Sequence, residues 1–135
     1  MIRTDWLARN AQYTPDATAL VWQPTGTAYT YAELNALGNR LARALMDTYA
    51  LEAGDRVAVL AENTAEHVLL FVAAQKAGFV LVPLNFRLTA SELQYMADDS
   101  APSVLFVAAN YADTAKALRT DAHLLPLDEV HTLID

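Results

Sequence analysis

The chain has 135 residues, which fits one domain of ordinary size and excludes two full domains. It contains no cysteine, so disulfides, thiolate nucleophiles and cysteine-based zinc sites are excluded. Nine Lys and Arg against sixteen Asp and Glu give a net charge of −7, which argues against nucleic acid or anionic lipid as a partner. Because 54% of the residues are hydrophobic, we expect a folded core rather than disorder.

Neither an export signal nor a membrane span is predicted. The first residues are followed by Arg9, Asn10 and Gln12, which interrupt any apolar core of signal-peptide length. The longest apolar stretch, residues 68–74, is far shorter than the roughly 18 residues that a membrane span needs. We therefore expect a cytoplasmic protein.

The N-terminal part of the chain predicts a short helix and then a hairpin. Thr4 and Asp5 are typical caps for a helix that starts at Trp6, and Thr14 before Pro15 should end it. Residues 19–22 and 28–30 have strand composition, and the Pro-Thr-Gly turn at 24–26 lies between them.

A long amphipathic helix should follow the hairpin. Thr30 and Glu33 form a capping-box pattern, and apolar residues then recur at steps of three and four through residue 45. The pattern predicts a helix over residues 31–49. Gly38 lies on its apolar stripe, where the absent side chain would let a neighbouring helix approach closely.

Two strand, helix, strand units occupy the middle of the chain. Residues 57–61 form a continuous apolar run, which indicates a strand covered on both faces. The next helix, residues 65–76, has Asn63 or Thr64 as its cap and is apolar around nearly its whole circumference. Gly78 suits a left-handed helix end, and we expect Pro83 to stop the strand that follows at 80–82.

The remaining elements complete a parallel sheet. Thr89 and Glu92 form a second capping box for a helix through about Asp98, and residues 103–107 are a third apolar strand. A helix over 112–119, a weak strand at Leu124 and Leu125, and residues 129–134 end the chain. The predicted fold class is α/β: a parallel sheet with flanking helices, built from consecutive βαβ units, plus a small N-terminal hairpin.

Candidate binding residues lie where the predicted strands end. In an open parallel sheet, ligands bind beyond the carboxyl ends of the strands, so the loops at 62–64, 84–87 and 110–111 should share one edge. Asn63, Asn85 and Arg87 are the candidates, since a guanidinium matches the geometry of a phosphate or carboxylate. Helix caps and a surface arginine, which any such fold carries at this edge, are the stronger explanation of these residues.

Several classes of site are disfavoured by what the sequence lacks. The four glycines are too far apart to build a phosphate-binding loop, which makes nucleotide binding by this segment alone improbable. The three histidines, at positions 67, 123 and 131, have no partner at metal-ligand spacing, so we expect no metal site. Tyrosines and tryptophans are not interleaved with Lys and Arg, which argues against stacking on nucleic-acid bases.

Three ordered motifs resemble the first part of the adenylate-forming enzymes. They are TYAEL at residues 30–34, GDRVAV at 54–59 and AGFVLVPLNFRL at 77–88. The third motif is similar to the acyl- or aryl-CoA ligase version rather than to the peptide-synthetase version. The resemblance implies that a carboxylic acid is activated by ATP and magnesium, with loss of pyrophosphate, and then transferred to CoA.

The resemblance also implies that the chemistry lies elsewhere. The family's Ser/Thr/Gly-rich phosphate loop, ribose-binding aspartate and C-terminal lysine have no matching positions here, so no catalytic residue can be assigned. We expect residues 1–135 to be a single N-terminal subdomain, with the later catalytic subdomains as its partners and no cofactor bound by itself. The helix over 65–76 should then keep an uncovered apolar face and favour self-association.

Two other functions remain open from the sequence. A freestanding α/β interaction module could keep the ligase-like fold without its chemistry. A flavodoxin-like nucleotide or flavin binder is weaker, because the loops lack the glycines or clustered hydroxyls that a phosphate requires.

Overall fold

The computed structural model describes residues 5–135, and within that range a hairpin and a four-stranded parallel sheet are surrounded by six α-helices. In chain order the elements are α1 (Trp6–Tyr13), β1 (Thr18–Trp22), β2 (Thr27–Thr30), α2 (Tyr31–Tyr49), β3 (Arg56–Leu60), α3 (Ala65–Ala77), β4 (Val80–Leu84), α4 (Ala90–Ser100), β5 (Val104–Val107), a 3₁₀ turn (Ala109–Tyr111), α5 (Ala112–Lys116), β6 (His123–Pro126) and α6 (Glu129–Ile134).

The N-terminal elements form as the sequence predicts. Asp5 caps α1, its side chain accepting a hydrogen bond from the Ala8 amide at 2.9 Å, while the predicted cap at Thr4 lies outside the described residues. β1 and β2 pair antiparallel as a hairpin. Both helices with predicted capping boxes have them, at Thr30 and at Thr89. In each box the glutamate accepts hydrogen bonds from the threonine, which lowers the pKa of Glu33 and Glu92.

The parallel sheet has the strand order β4-β3-β5-β6, which confirms the predicted βαβ units. Alternate residues of the central strands point to opposite faces, and both faces are apolar. Val57 and Phe106 belong to one core, which α2, α3 and α6 cover, while Leu60 and Leu105 belong to the other, beneath α4 and α5. The central strands are continuously hydrophobic, rather than alternating, because helices cover both faces of the sheet.

Gly38 has the packing role that its position on the stripe predicts. A Cβ atom placed there would lie 2.3 Å from Cγ1 of Val72 and 3.2 Å from Cε of Lys76. Helices α2 and α3 therefore approach one another at a point where only glycine fits. Most of the apolar residues of α3 are buried. Among its large apolar side chains, Phe71 is the one left exposed, at 55%.

The prediction that Pro83 ends its strand is wrong, because β4 continues to Leu84. β4 is an edge strand. The Val80 amide donates to the Asp55 carbonyl at 2.8 Å, so by alternation along a parallel strand the position of Pro83 faces away from β3. A proline at an outward-facing edge position removes no ladder hydrogen bond, which is why the strand tolerates it.

Helix α5 is shorter than predicted, ending at Lys116 rather than continuing to 119. The Leu118 amide bonds back three residues to Ala115, which tightens the last turn. The side chain of Gln94 then accepts from the Arg119 amide and donates to the Arg119 carbonyl, both at 2.8 Å. These long-range bonds occupy the backbone groups with which a longer helix would continue.

Candidate functional site

The loops that follow β3 and β4 form an open cleft of about 590 Å³ at the carboxyl edge of the sheet. Glu62 and Asn63 line one side of it, and Asn85, Phe86 and Arg87 line the other. The three sequence candidates Asn63, Asn85 and Arg87 therefore lie around one cleft. Their binding of a ligand stays a prediction.

Arg87 is held at two points. Its backbone amide donates a hydrogen bond to Oδ1 of Asn85 at 3.1 Å, which closes the turn after β4. Its guanidinium lies over the ring of Phe86, 5.5 Å from the centroid. Arg87 is exposed and forms no ion pair within residues 5–135, so its donors are free to meet an anion.

Asn63 has a different local role from the one the sequence left open. The cap of α3 is Thr64, whose hydroxyl oxygen accepts from the His67 amide at 3.2 Å. Asn63 is exposed on the cleft wall. Its side-chain amide therefore faces solvent and does not cap α3.

Tyr111 connects the third loop to the same edge, as the predicted convergence of the loops requires. Its hydroxyl donates to Oε1 of Glu62 at 2.9 Å, and its ring lies 5.5 Å from that of Phe86. The pKa of Tyr111 is raised by burial first, and then by the hydrogen bond to Glu62 and the charge of that carboxylate, while the charge of Arg87 opposes the shift. The phenol therefore keeps its proton at neutral pH.

Sequence reasoning placed the loops of Glu62 and Tyr111 at this edge but did not single out either side chain. The only signal was their position after β3 and β5. The contact between them joins residues 49 positions apart, which no local sequence pattern predicts.

A larger cleft, of about 710 Å³, lies elsewhere, at the amino ends of the strands. Its charged groups include Asp98, Arg119 and Asp121. His123 is on its wall, stacked at a tilt against Tyr49 with ring centroids 5.5 Å apart. Ligands of parallel sheets bind at the opposite edge, so volume alone does not identify this cleft as the functional one.

Residues 5–135 contain no group of three or more His, Asp or Glu that could hold a metal ion. His131 is paired instead with Glu66, Nε2 to Oε1 at 2.8 Å. None of the described helices is both long enough and apolar enough to cross a bilayer.

Comparison with known proteins decides the family. Residues 7–135 match the family model described as AMP-binding enzyme. The chain belongs to this family. Among solved structures, the N-terminal domain of FACL13 from Mycobacterium tuberculosis is similar, with a TM-score of 0.90 and 33% sequence identity, over 99% of this chain and 36% of that one. The o-succinylbenzoate coenzyme A synthetase of Bacillus subtilis, in complex with ATP and a magnesium ion, matches with a TM-score of 0.81 and 30% identity, over 93% of this chain and 33% of that one.

The curated relatives include CoA ligases and also a peptide synthetase, the surfactin synthase subunit 2 of Bacillus subtilis, which is 37% identical over 118 residues, 87% of this chain and 3% of that protein. The long-chain fatty-acid–CoA ligase FadD13 of M. tuberculosis is 39% identical over 118 residues, which are 87% of this chain and 23% of the ligase. A feruloyl-CoA synthase of an Amycolatopsis species is 42% identical over 113 residues, 84% of this chain and 22% of the synthase. The chain thus spans less than a quarter of the length of these relatives.

Proposed function

We propose that this chain is the N-terminal part of an AMP-forming carboxylate–CoA ligase. The complete enzyme would convert a carboxylic acid and ATP to an acyl adenylate and pyrophosphate, and then replace AMP by the thiol of CoA. The observation that carries the proposal is the similarity to a ligase-family N-terminal domain over 99% of the chain, at a TM-score of 0.90. The PLNFRL segment at residues 83–88 supports the CoA-ligase branch.

The residues of this chain do not fit a complete site for ATP and magnesium. The sequence has no glycine-rich phosphate loop, and residues 5–135 contain no group of three or more His, Asp or Glu that could hold a metal ion. We therefore propose that downstream subdomains supply the groups that bind ATP, magnesium and CoA. The contribution of this chain is one wall of the cleft, where Asn63, Asn85 and Arg87 would contact an anionic group of a substrate.

The partner that we propose for this subdomain is the rest of the ligase polypeptide. Its docking would cover exposed apolar side chains such as Phe71 on α3 and Trp6 on α1, which are 55% and 68% exposed. We expect the isolated chain to bind an apolar fluorescent dye or to self-associate. A strictly monomeric chain that binds no dye would contradict a partner at this surface.

ATP–pyrophosphate exchange tests whether adenylate formation requires the downstream subdomains. We expect the purified 135-residue chain to give no exchange with any carboxylic acid, while a complete feruloyl-CoA synthase, as positive control, gives exchange under the same conditions. Exchange by the pure chain that is abolished by denaturation would show that the chain is catalytic alone.

A second candidate function is a freestanding α/β interaction module. It is favoured by one observation: the two cores close within this chain, and the described residues include no buried side-chain polar atom without a hydrogen-bond partner. The coding sequence after codon 135 separates the two candidates. Continuation into a stretch rich in Thr, Ser and Gly supports the ligase, and an immediate stop codon supports the module.

A further inference from the structure

Tyr111 links the three loops at the carboxyl edge of the sheet. It lies at the end of the 3₁₀ turn Ala109–Tyr111 that follows β5. Through its hydroxyl it reaches Glu62 in the loop after β3, and through its ring it reaches Phe86 in the loop after β4. The interplanar angle of 39° and the 5.5 Å centroid separation are those of a favourable tilted aromatic pair.

Phe86 is shared between Tyr111 and Arg87. Its ring meets the Tyr111 ring and also the Arg87 guanidinium, each at 5.5 Å. The Phe86 ring is therefore a surface against which the positive charge of Arg87 lies. Asn85 bonds to the backbone amide of Arg87, whereas the Phe86 ring meets the guanidinium itself.

Glu62 completes the arrangement by accepting the hydrogen bond of Tyr111. Its carboxylate lines the same cleft as Arg87 and accepts from the Tyr111 hydroxyl, and within residues 5–135 it makes no ion pair with Arg87. The hydrogen bond holds Tyr111 in place, and the guanidinium keeps its forked donors for a ligand.

We propose that Glu62 and Tyr111 are positioning residues that orient the Arg87 guanidinium, through Phe86, for an anionic group of the substrate. The inference rests on the proposed role of Arg87 in anion binding and adds the residues that prepare it. An arginine already oriented by its neighbours loses less side-chain freedom when the anion binds, so the pair should strengthen binding without touching the ligand.

The first experiment measures the position of Arg87 without a ligand. In the NMR spectrum of the 135-residue chain, the Phe86 ring current should shift the Cδ protons of Arg87 from their usual position. Tyr111→Ala should return them toward it, and Tyr111→Phe, which keeps the ring but loses the hydroxyl, should shift them less far. Tyr95→Ala, which removes another exposed tyrosine on α4, is the matched control and should have no effect. Unchanged Arg87 signals in Tyr111→Ala would overturn the positioning role.

The second experiment measures binding of inorganic pyrophosphate as the anionic probe. Arg87→Ala should abolish saturable binding, and Tyr111→Ala should weaken it about two- to fivefold, the range of a cation–π contact. Loss of binding in Arg87→Ala with no change in Tyr111→Ala would overturn the positioning role alone. If the wild-type chain binds no pyrophosphate, the anion site is contradicted, and the ring-current measurement still decides the positioning.

Two variants of Glu62 test the hydrogen bond while leaving the Tyr111 and Phe86 rings in place. Glu62→Gln keeps an acceptor for the Tyr111 hydroxyl, so we expect it to preserve the Arg87 signals. Glu62→Ala removes the acceptor and should shift them in the same direction as Tyr111→Phe. Equal spectra for Glu62→Gln and Glu62→Ala would contradict a role of the hydrogen bond.

Discussion

The amine of Lys76 shows how single side chains join distant parts of this fold. Its Nζ donates to Oδ2 of Asp5 at 2.8 Å and to Oδ1 of Asn35, and its side chain is only 6% exposed. Asp5 caps α1, Asn35 lies on α2 and Lys76 lies on α3. Three helices therefore meet at one charged group. Sequence patterns located the cap of α1 but not its partner, which is 71 positions away.

Asp5→Ala should destabilise the chain at neutral pH and much less in acid. Burial alone would raise the pKa of Asp5, but the hydrogen bonds from Ala8 and from Lys76, together with the Lys76 charge, lower it below its usual value. A carboxyl group with a lowered folded-state pKa contributes its full stability above the unfolded pKa near 3.9, and loses it as pH falls through the folded pKa. We expect a cost of about 0.5–2 kcal/mol at pH 7, the range for a lost N-cap.

Urea unfolding over a pH series that descends from 7 through the folded-state pKa of Asp5 measures this difference. Asp16→Ala, at an exposed position in the turn after α1, is the control and should change the free energy of unfolding by less than about 0.5 kcal/mol. A cost of Asp5→Ala that stays constant over the acid range would show that ionisation of Asp5 adds nothing to its contribution.

At the scale of elements, the close contact of α2 with α3 depends on Gly38. Gly38→Ala places a methyl group against Val72, whose β-branched side chain has one strongly preferred rotamer in a helix and moves little. The overlap should cost about 1–3 kcal/mol, against about 1 kcal/mol gained in helix propensity. We therefore expect a net loss of up to about 2 kcal/mol, measured by chemical denaturation.

The matched control for Gly38→Ala is Asn39→Ala, at the adjacent exposed position of α2. It changes helix propensity without touching α3 and should be neutral or slightly stabilising. A Gly38→Ala chain as stable as the control would contradict the close packing.

The elements themselves were largely predictable. Caps and apolar periodicity gave α2 its bounds of Tyr31–Tyr49, because these signals are local. The extent of β4 past Pro83 was not predictable, since whether a proline is tolerated depends on which side of the strand has a neighbour. The end of α5 depended on Gln94 in another helix, a contact that no local pattern contains.

For the whole molecule, the open sheet is protected at both edges by proline. The amides of His123 and Leu127 donate to the carbonyls of Ser103 and Val107, on the side of β5. Pro126 of β6 therefore faces outward, as Pro83 of β4 does at the opposite edge. Each edge strand therefore lacks one outward N–H donor at which another strand would pair. Natural sheets use proline in this way against association through their edges.

Pro126→Val should increase self-association of the chain over the wild type. Valine restores the outward N–H donor and places a β-branched side chain at an exposed edge position. Leu124, two residues away, is already 43% exposed. Pro126→Asp restores the same donor but adds a charge, and is expected to stay at the wild-type level. Sedimentation velocity over a concentration series distinguishes them, and equal association in all three chains would contradict protection by proline.

The sequence by itself determined the α/β class, the order of strands and helices, the family resemblance and the edge of the sheet at which Asn63, Asn85 and Arg87 lie. These follow from local periodicity, caps and the direction of parallel strands. Only the tertiary structure decided that Tyr111 joins Glu62 to Phe86, that Lys76 ties three helices together, and that both edge prolines face outward. Each of these depends on distances between residues far apart in the chain, and a one-dimensional pattern does not encode them.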